Sequence, residues 1–275
     1  MDIVYFGSDV FLSCFDYLTA HHTVRALYTY HNDEDYITEY SIVRRAAALG
    51  IPVHYEAVAP EVTRQYFRDG CDLYFVAEYD RIIEIPEDIP DFRGVNIHSS
   101  LLPEGRSYYP IEAAMERGLA RTGVTVHRLM PRLDGGAILA QREIEITPDM
   151  DSIDVYLRSG AAARQMTEEI LRDFPHSWES ASPQREKLPY WKRPAPEKLT
   201  LTPDIDREQA AEVFRRFNSM TEVFLGERLY FVSALQTGPT PLPVPQLQLT
   251  ETRWLYAVRD GHLRLSVFPK GANLP

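Results

Sequence analysis

The sequence predicts an α/β protein in which an open, mostly parallel, Rossmann-like sheet precedes a small β-rich domain. Three observations lead there. Short apolar runs alternate with amphipathic stretches through about residue 171, a proline-punctuated polar stretch breaks the pattern over 175–203, and β-like runs dominate beyond it. The first apolar run, 3–6, is followed by Gly7-Ser8-Asp9 and then by helical spacing as far as Leu18, which reads as strand, turn, helix. The same alternation continues with strands over 24–30, 51–54 and 73–77 and helices over 40–49 and 60–67. Parallel strands joined by crossover helices are the economical reading of that order. Next come a strand over 94–98, a helix over 111–117, strands over 124–129 and 137–146, and a long helix that Asp151 caps and that reaches about Leu171.

The stretch over 175–203 carries Pro183, Pro189, Pro194, Pro196 and Pro203 and reads as a linker. After it, one helix over 207–217 and strands over 229–235, 254–258 and 263–267 are expected, with 239–245 as a proline-rich connector. The expected division is a larger domain over 1–180, a linker over 181–203 and a small domain over 204–275, which suits a chain of 275 residues.

Composition narrows the function classes. Forty Asp and Glu against 29 Lys and Arg give a formal charge of -11, a field that repels phosphate polymers and anionic membranes, so nucleic acid is not expected as a partner. No run of about 18 apolar residues exists, and Met1-Asp2-Ile3-Val4 lacks a basic flank, so neither a membrane span nor a signal peptide is read. Two cysteines, Cys14 and Cys71, make neither a disulfide framework nor a zinc motif and fit a reducing cytoplasm; no metal is expected. The G-x-G-x-x-G fingerprint, the G-K-[ST] phosphate loop, H-E-x-x-H and the G-x-S-x-G elbow are all missing.

What remains is Gly94-Val95-Asn96-Ile97-His98-Ser99-Ser100-Leu101-Leu102-Pro103. Residues two apart share a face of a strand, so Asn96 and His98 point the same way at its carboxyl end, where open α/β sheets bind ligands. An amide donor beside an imidazole suits a carbonyl that becomes an oxyanion, although the same pair also fits a satisfied core contact. A second stretch, 124–141, reads as strand, loop, strand, with Asp134 at the turn before Gly135-Gly136, whose small size lets backbone come close to a ligand.

Together these stretches resemble the formyltetrahydrofolate-dependent formyltransferase family, with its Asn-x-His-x-Ser-Leu-Leu-Pro signature and later Asp-x-Gly-x-Ile-x-x-Gln. The pattern is similar to the domain that formylates UDP-amino-arabinose and, in overall plan, to methionyl-tRNA formyltransferase. The resemblance implies a catalytic domain over 1–180, an OB-like C-terminal domain, and 10-formyltetrahydrofolate as co-substrate. It puts Asn96, His98 and Asp134 in the catalytic roles, Asn96 and protonated His98 at the oxyanion, Asp134 pairing with His98 and taking the amine's proton. It puts the pterin against Arg81, Ile82 and Ile83 under backbone from Met130, Pro131, Arg132 and Leu133, with Tyr108 where amino-arabinose relatives carry an arginine.

The acceptor expected is a small primary amine, foremost a nucleotide-linked amino sugar, with Ser100, Arg106, Tyr190 and Trp191 as substrate-binding residues. Tyr190 and Trp191 have the alternative of pinning the linker to the catalytic domain. Methionyl-tRNA is the runner-up, demoted because the family's tRNA enzymes carry a basic insertion where residues 31–36 here are acidic. Ornithine-type amines, a formyl-folate hydrolase with water as acceptor, and a non-catalytic folate-binding module remain as alternatives. His127 is read as a packed or solvent-facing residue near the site, the other histidines as surface or structural, and 229–235 as a strand able to pair across a homodimer.

Overall fold

The computed structural model describes residues 1–31, 41–185 and 188–270. Its first sheet has seven strands: β1 (Asp2–Gly7), β2 (Thr23–Tyr28), β3 (Val53–His54), β4 (Leu73–Ala77), β5 (Gly94–His98), β6 (Arg121–Arg128) and β7 (Ile138–Glu145). They lie in the order β3-β2-β1-β4-β5-β6-β7, parallel through β5 and antiparallel across the last two pairs. Crossovers run through α1 (Leu12–His21), α2 (Ser41–Ala48) and α3 (Pro60–Arg68), while α4 (Pro110–Glu116) lies between β5 and antiparallel β6 and α5 (Ser152–Arg172) follows β7. This is the α/β architecture that the alternation of apolar runs predicts.

The central strands are apolar on both faces because helices or loops cover both. Every residue of β1 after Asp2 is buried, and β4 is buried throughout. On one face Ile3, Tyr5 and Phe75 meet Phe15 of α1 and Met166 of α5. On the other, Phe6 stacks on Tyr28 and packs on Tyr74 at ring separations of 5.0 and 4.8 Å. Asp151 caps α5 as expected: its carboxylate accepts from the Asp154 N–H at 2.9 Å, and Asp154 returns the bond at 3.1 Å, a capping box of the kind worth about 1 kcal/mol.

The stretch expected to be a linker holds two short helices, α6 (Phe174–Glu179) and α7 (Pro196–Leu199). Much of it is tied to the sheet: Ser182 exchanges backbone bonds with Ile138 at 2.7 and 2.8 Å. Beyond it, β8 (Thr200–Leu201), α8 (Arg207–Phe217), β9 (Glu222–Leu225), β10 (Arg228–Gly238), β11 (Gln246–Thr250), β12 (Arg253–Val258) and β13 (Gly261–Pro269) build a second sheet ordered β11-β12-β13-β10-β9-β8. The strand expected over 229–235 is therefore not an edge. β13 pairs along 230–238 and β9 along 228–231, which removes the reason for proposing it as a dimer contact. Of the helix expected over 40–49, residue 40 lies outside the described residues, as does most of the acidic segment 31–36.

Candidate active site

The site forms where β5 ends. Period-two alternation turns Asn96 and His98 to one face, and the antiparallel pairing of β6 puts His127 directly opposite Asn96. The Asn96 amide (Nδ2) donates to His127 Nε2 at 3.1 Å, while His127 Nδ1 donates to the Arg128 carbonyl at 2.9 Å. These two bonds fix the tautomer: Nε2 carries the lone pair, and the ring is neutral. Burial agrees, pushing the His127 imidazole down to about 4 against the opposing pull of Asp134. His98 Nε2 donates to the Gly105 carbonyl at 2.9 Å, which leaves Nδ1 as the edge turned toward Asp134.

Asp134 sits in the loop after β6 in the left-handed region, at φ 49°, which an aspartate tolerates better than most side chains. Its backbone carbonyl is clamped by Arg106 Nε at 3.3 Å and by the Gln184 amide at 2.8 Å. That clamp turns the carboxylate inward, where Oδ1 lies 3.8 Å from His98 Nδ1 and 3.8 Å from His127 Nε2. At that separation neither contact is a direct hydrogen bond. Asn96, His98 and Asp134 thus converge, and His127 joins them: it is packed, at 1% exposure, and it reaches the site as well. The signal that would have found it is the strand register, which no local pattern encodes.

A cleft of about 130 Å³ opens over these groups. Arg81, Ile82, Ile83, Tyr108, Met130, Pro131 and Leu133 line it together with Asn96, His98, His127 and Asp134. Arg132 does not: its aliphatic chain packs instead beside Gly135, within 3.0 Å of where a side chain there would begin. Gly136, read as room for a ligand, makes room for backbone. A Cβ there would stand 1.9 Å from the Arg128 carbonyl oxygen.

The four residues assigned to the acceptor lie away from the cleft wall. Ser100 is buried and donates to the Glu104 carbonyl at 2.6 Å. Arg106 is 1% exposed, and its guanidinium serves the Asp134 carbonyl and, at 2.6 Å, the Gln184 side chain. It holds the loop, and its Nη1 is buried without a partner. The Tyr190 hydroxyl donates to the Leu133 carbonyl at 2.7 Å, and Trp191 bonds the Arg106 carbonyl at 2.8 Å under the Arg117 guanidinium, so both pin the proline-rich stretch to the site. Sequence reasoning also passed over Glu78, the first residue beyond β4. It is half-buried, has a φ of 60°, lines the cleft, and has its carboxyl pushed up to about 7 by burial and then by Glu112 and Asp134. The end-of-strand rule that singled out His98 applies to it equally.

Among the described residues no group of three or more His, Cys, Asp or Glu is arranged to hold a metal ion, and no helix is long and apolar enough to cross a membrane. Residues 36–171 match the family described as formyl transferase. The chain carries a formyl transferase domain. Its fold recurs in solved structures of low sequence identity. HypX from Aquifex aeolicus in complex with tetrahydrofolic acid superposes with a TM-score of 0.68 at 16% identity, over 96% of this chain and 43% of that one. An N-formyltransferase from Helicobacter canadensis, in complex with folinic acid and dTDP-3-aminofucose, gives 0.62 at 14% identity over 96% and 98% of the two chains. Methionyl-tRNA formyltransferase from Clostridium thermocellum gives 0.60 at 15% identity over 98% of each. The chain spans less than half the length of the HypX chains it resembles in fold, 45% at most.

Proposed function

We propose that this protein is an N-formyltransferase that moves the formyl group of 10-formyltetrahydrofolate to the primary amine of a small acceptor. The observation that carries the reading is one carboxylate, Asp134, held 3.8 Å from two imidazoles beside an amide at the carboxyl end of a parallel sheet. The cleft wall suits a reduced pterin. Ile82, Met130 and Leu133 are 73%, 49% and 42% exposed yet gathered around one opening, an arrangement that a flat ring system would cover. When bound, 10-formyltetrahydrofolate supplies an electrophilic formyl carbon on a nitrogen leaving group.

The chain's own groups divide the remaining work. One Asn96 amide hydrogen is held by neutral His127, which orients the other toward the cleft as an oxyanion donor. His98, anchored through Nε2, turns Nδ1 toward Asp134 and donates from it when that nitrogen carries a proton. Attack by the amine forms the new C–N bond and leaves negative oxygen for these two donors. Asp134 accepts the proton that the amine loses and, as the bond from the formyl carbon to the folate nitrogen breaks, that proton passes to the leaving nitrogen, giving tetrahydrofolate and the formamide.

A nucleotide-linked amino sugar belongs to this acceptor class and is what the relative from Helicobacter canadensis is shown with. The net charge of -11 weighs against tRNA. The direct test is release of tetrahydrofolate from 10-formyltetrahydrofolate by the purified protein, with and without primary amines. Release that depends on amine supports the proposal, whereas equal release without one favours hydrolysis and overturns it.

A further inference from the structure

A second cavity, of about 690 Å³, meets the catalytic cleft at Glu78 and Tyr108, which line both. Asp9, Glu78 and Glu112 bring carboxylates to it, and no Lys, Arg or His among the described residues lines it. Their charges are unequally met. Asp9 accepts from the Ser41 and Ile42 N–H groups, both at 2.8 Å. Glu112 is 4% exposed; its Oε1 accepts from the Tyr156 hydroxyl at 2.9 Å, and its Oε2 is buried with no partner. Glu78 makes no hydrogen bond or ion pair among the described residues. A buried oxygen without a partner is costly, and burial pushes the Glu112 carboxyl up; a cationic donor brought by a ligand would meet that oxygen.

We infer that this cavity admits the acceptor, and that it selects a small phosphate-free alkyl amine whose ammonium is held between Glu78 and Glu112. The inference rests on the formyl transfer reading and narrows it. A phosphate in the cavity would face three carboxylates and no cation, whereas an ammonium supplies three donors and one positive charge. Holding the amine there also readies it. The ammonium gives one proton to the Glu78 carboxylate, leaving a neutral amine with its lone pair free and a neutral carboxyl group that burial already favours. The second proton leaves later, to Asp134, as the C–N bond forms. Glu112 is in this account a positioning residue, and its removal should act on binding of the amine more than on turnover.

The experiment compares 1,4-diaminobutane, L-ornithine and a dTDP-linked amino sugar as acceptors for the full chain, its Glu112→Gln variant and its Glu78→Gln variant. Folinic acid is titrated onto each protein separately. The expected result is kcat/KM at least about tenfold higher for a phosphate-free amine than for the nucleotide sugar. Glu112→Gln should raise KM for that amine about tenfold or more, with kcat changed less and folinic acid affinity kept within about twofold. Glu78→Gln should raise KM and lower kcat together. A better rate with the nucleotide sugar, no formylation of either phosphate-free amine, or an unchanged amine KM in whichever variants fold overturns the inference. Failure of the unmodified chain to bind folinic acid overturns instead the reading on which it rests.

Discussion

Two clefts lie at opposite ends of the same sheet, and the proposed active site is the smaller. The cleft at the amino ends of the strands encloses about 800 Å³ beside Met1, Cys71 and Arg93, against about 130 Å³ over Asn96 and His98 at the carboxyl ends. Its charges are settled within the protein. Arg64 grips both oxygens of Asp88 at 2.9 Å, the Asp72 carboxylate accepts from the Asp2 N–H at 2.7 Å, and Arg93 lies over the rings of Phe174 and Trp178. The smaller cleft keeps groups with capacity to spare: the second hydrogen of an amide, the free edge of an imidazole, and a carboxylate that stands 3.8 Å from both rings. Size records where surfaces fail to meet, and chemistry collects where buried polar groups keep a free valence.

The largest effect that sharpens this contrast belongs to the three converging side chains. Asn96→Ala, His98→Ala and Asp134→Ala should each cut kcat/KM for formyl transfer by about 10²–10³, the scale of an oxyanion donor worth about 2.7–4 kcal/mol. Because the three act as one unit, the double variants should lose little more than the worst single one. Steady-state rates with a saturating amine check this, and a variant that keeps near-normal kcat/KM would remove its residue from the mechanism.

A smaller effect concerns what it costs to keep His127 neutral. Its imidazole is buried with a value near 4 in the fold against 6.5 unperturbed, so the unfolded chain takes up a proton that the folded one refuses. The sign follows from that. Stability supplied by this residue is complete above about pH 6.5 and is lost as pH falls toward 4, about 3 kcal/mol over the window. His127→Gln, which can still accept from Asn96 but does not titrate, should shrink the drop in unfolding free energy between about pH 7 and pH 5 by about 2 kcal/mol. Urea unfolding at the two pH values measures it. An unchanged drop would mean that the ring is charged in the fold, and the orientation derived for Asn96 would fail with it.

The contrast also explains what the sequence made legible. Asn96 and His98 could be read because a strand's alternation and the direction of a parallel sheet are local rules, and strand 94–98 falls on those residues in the structure. His127 was in plain view, but its partner depends on the antiparallel register Asn96↔His127, set by everything folded between residues 99 and 120. Arg106 departs from the rule that a charged side chain faces solvent: the Asp134 carbonyl and Gln184 accept from it at 1% exposure, while its Nη1 is buried without a partner. Short β8 and β9 left too few residues to show a period, and β11 alternates only Leu247 and Leu249 with polar residues over five positions, both of them exposed.

The smallest expected effect is the one that could break the comparison. Arg64 and Asp88 make the best-formed ion pair of the amino-end cleft, yet their side chains are 41% and 63% exposed, so water competes for both charges and salt screens what remains. Arg64→Ala therefore should leave kcat/KM and the affinity for folinic acid within about twofold of the unmodified chain and barely move the thermal midpoint. Tryptophan fluorescence during heating and the formyl transfer assay check both. A loss of activity comparable to that of Asn96→Ala would require the two ends of the sheet to communicate. No polar chain between them provides for that: the strands in between, β1 and β4, are packed with Ile3, Tyr5, Leu73 and Phe75, side chains that hold position and carry no charge.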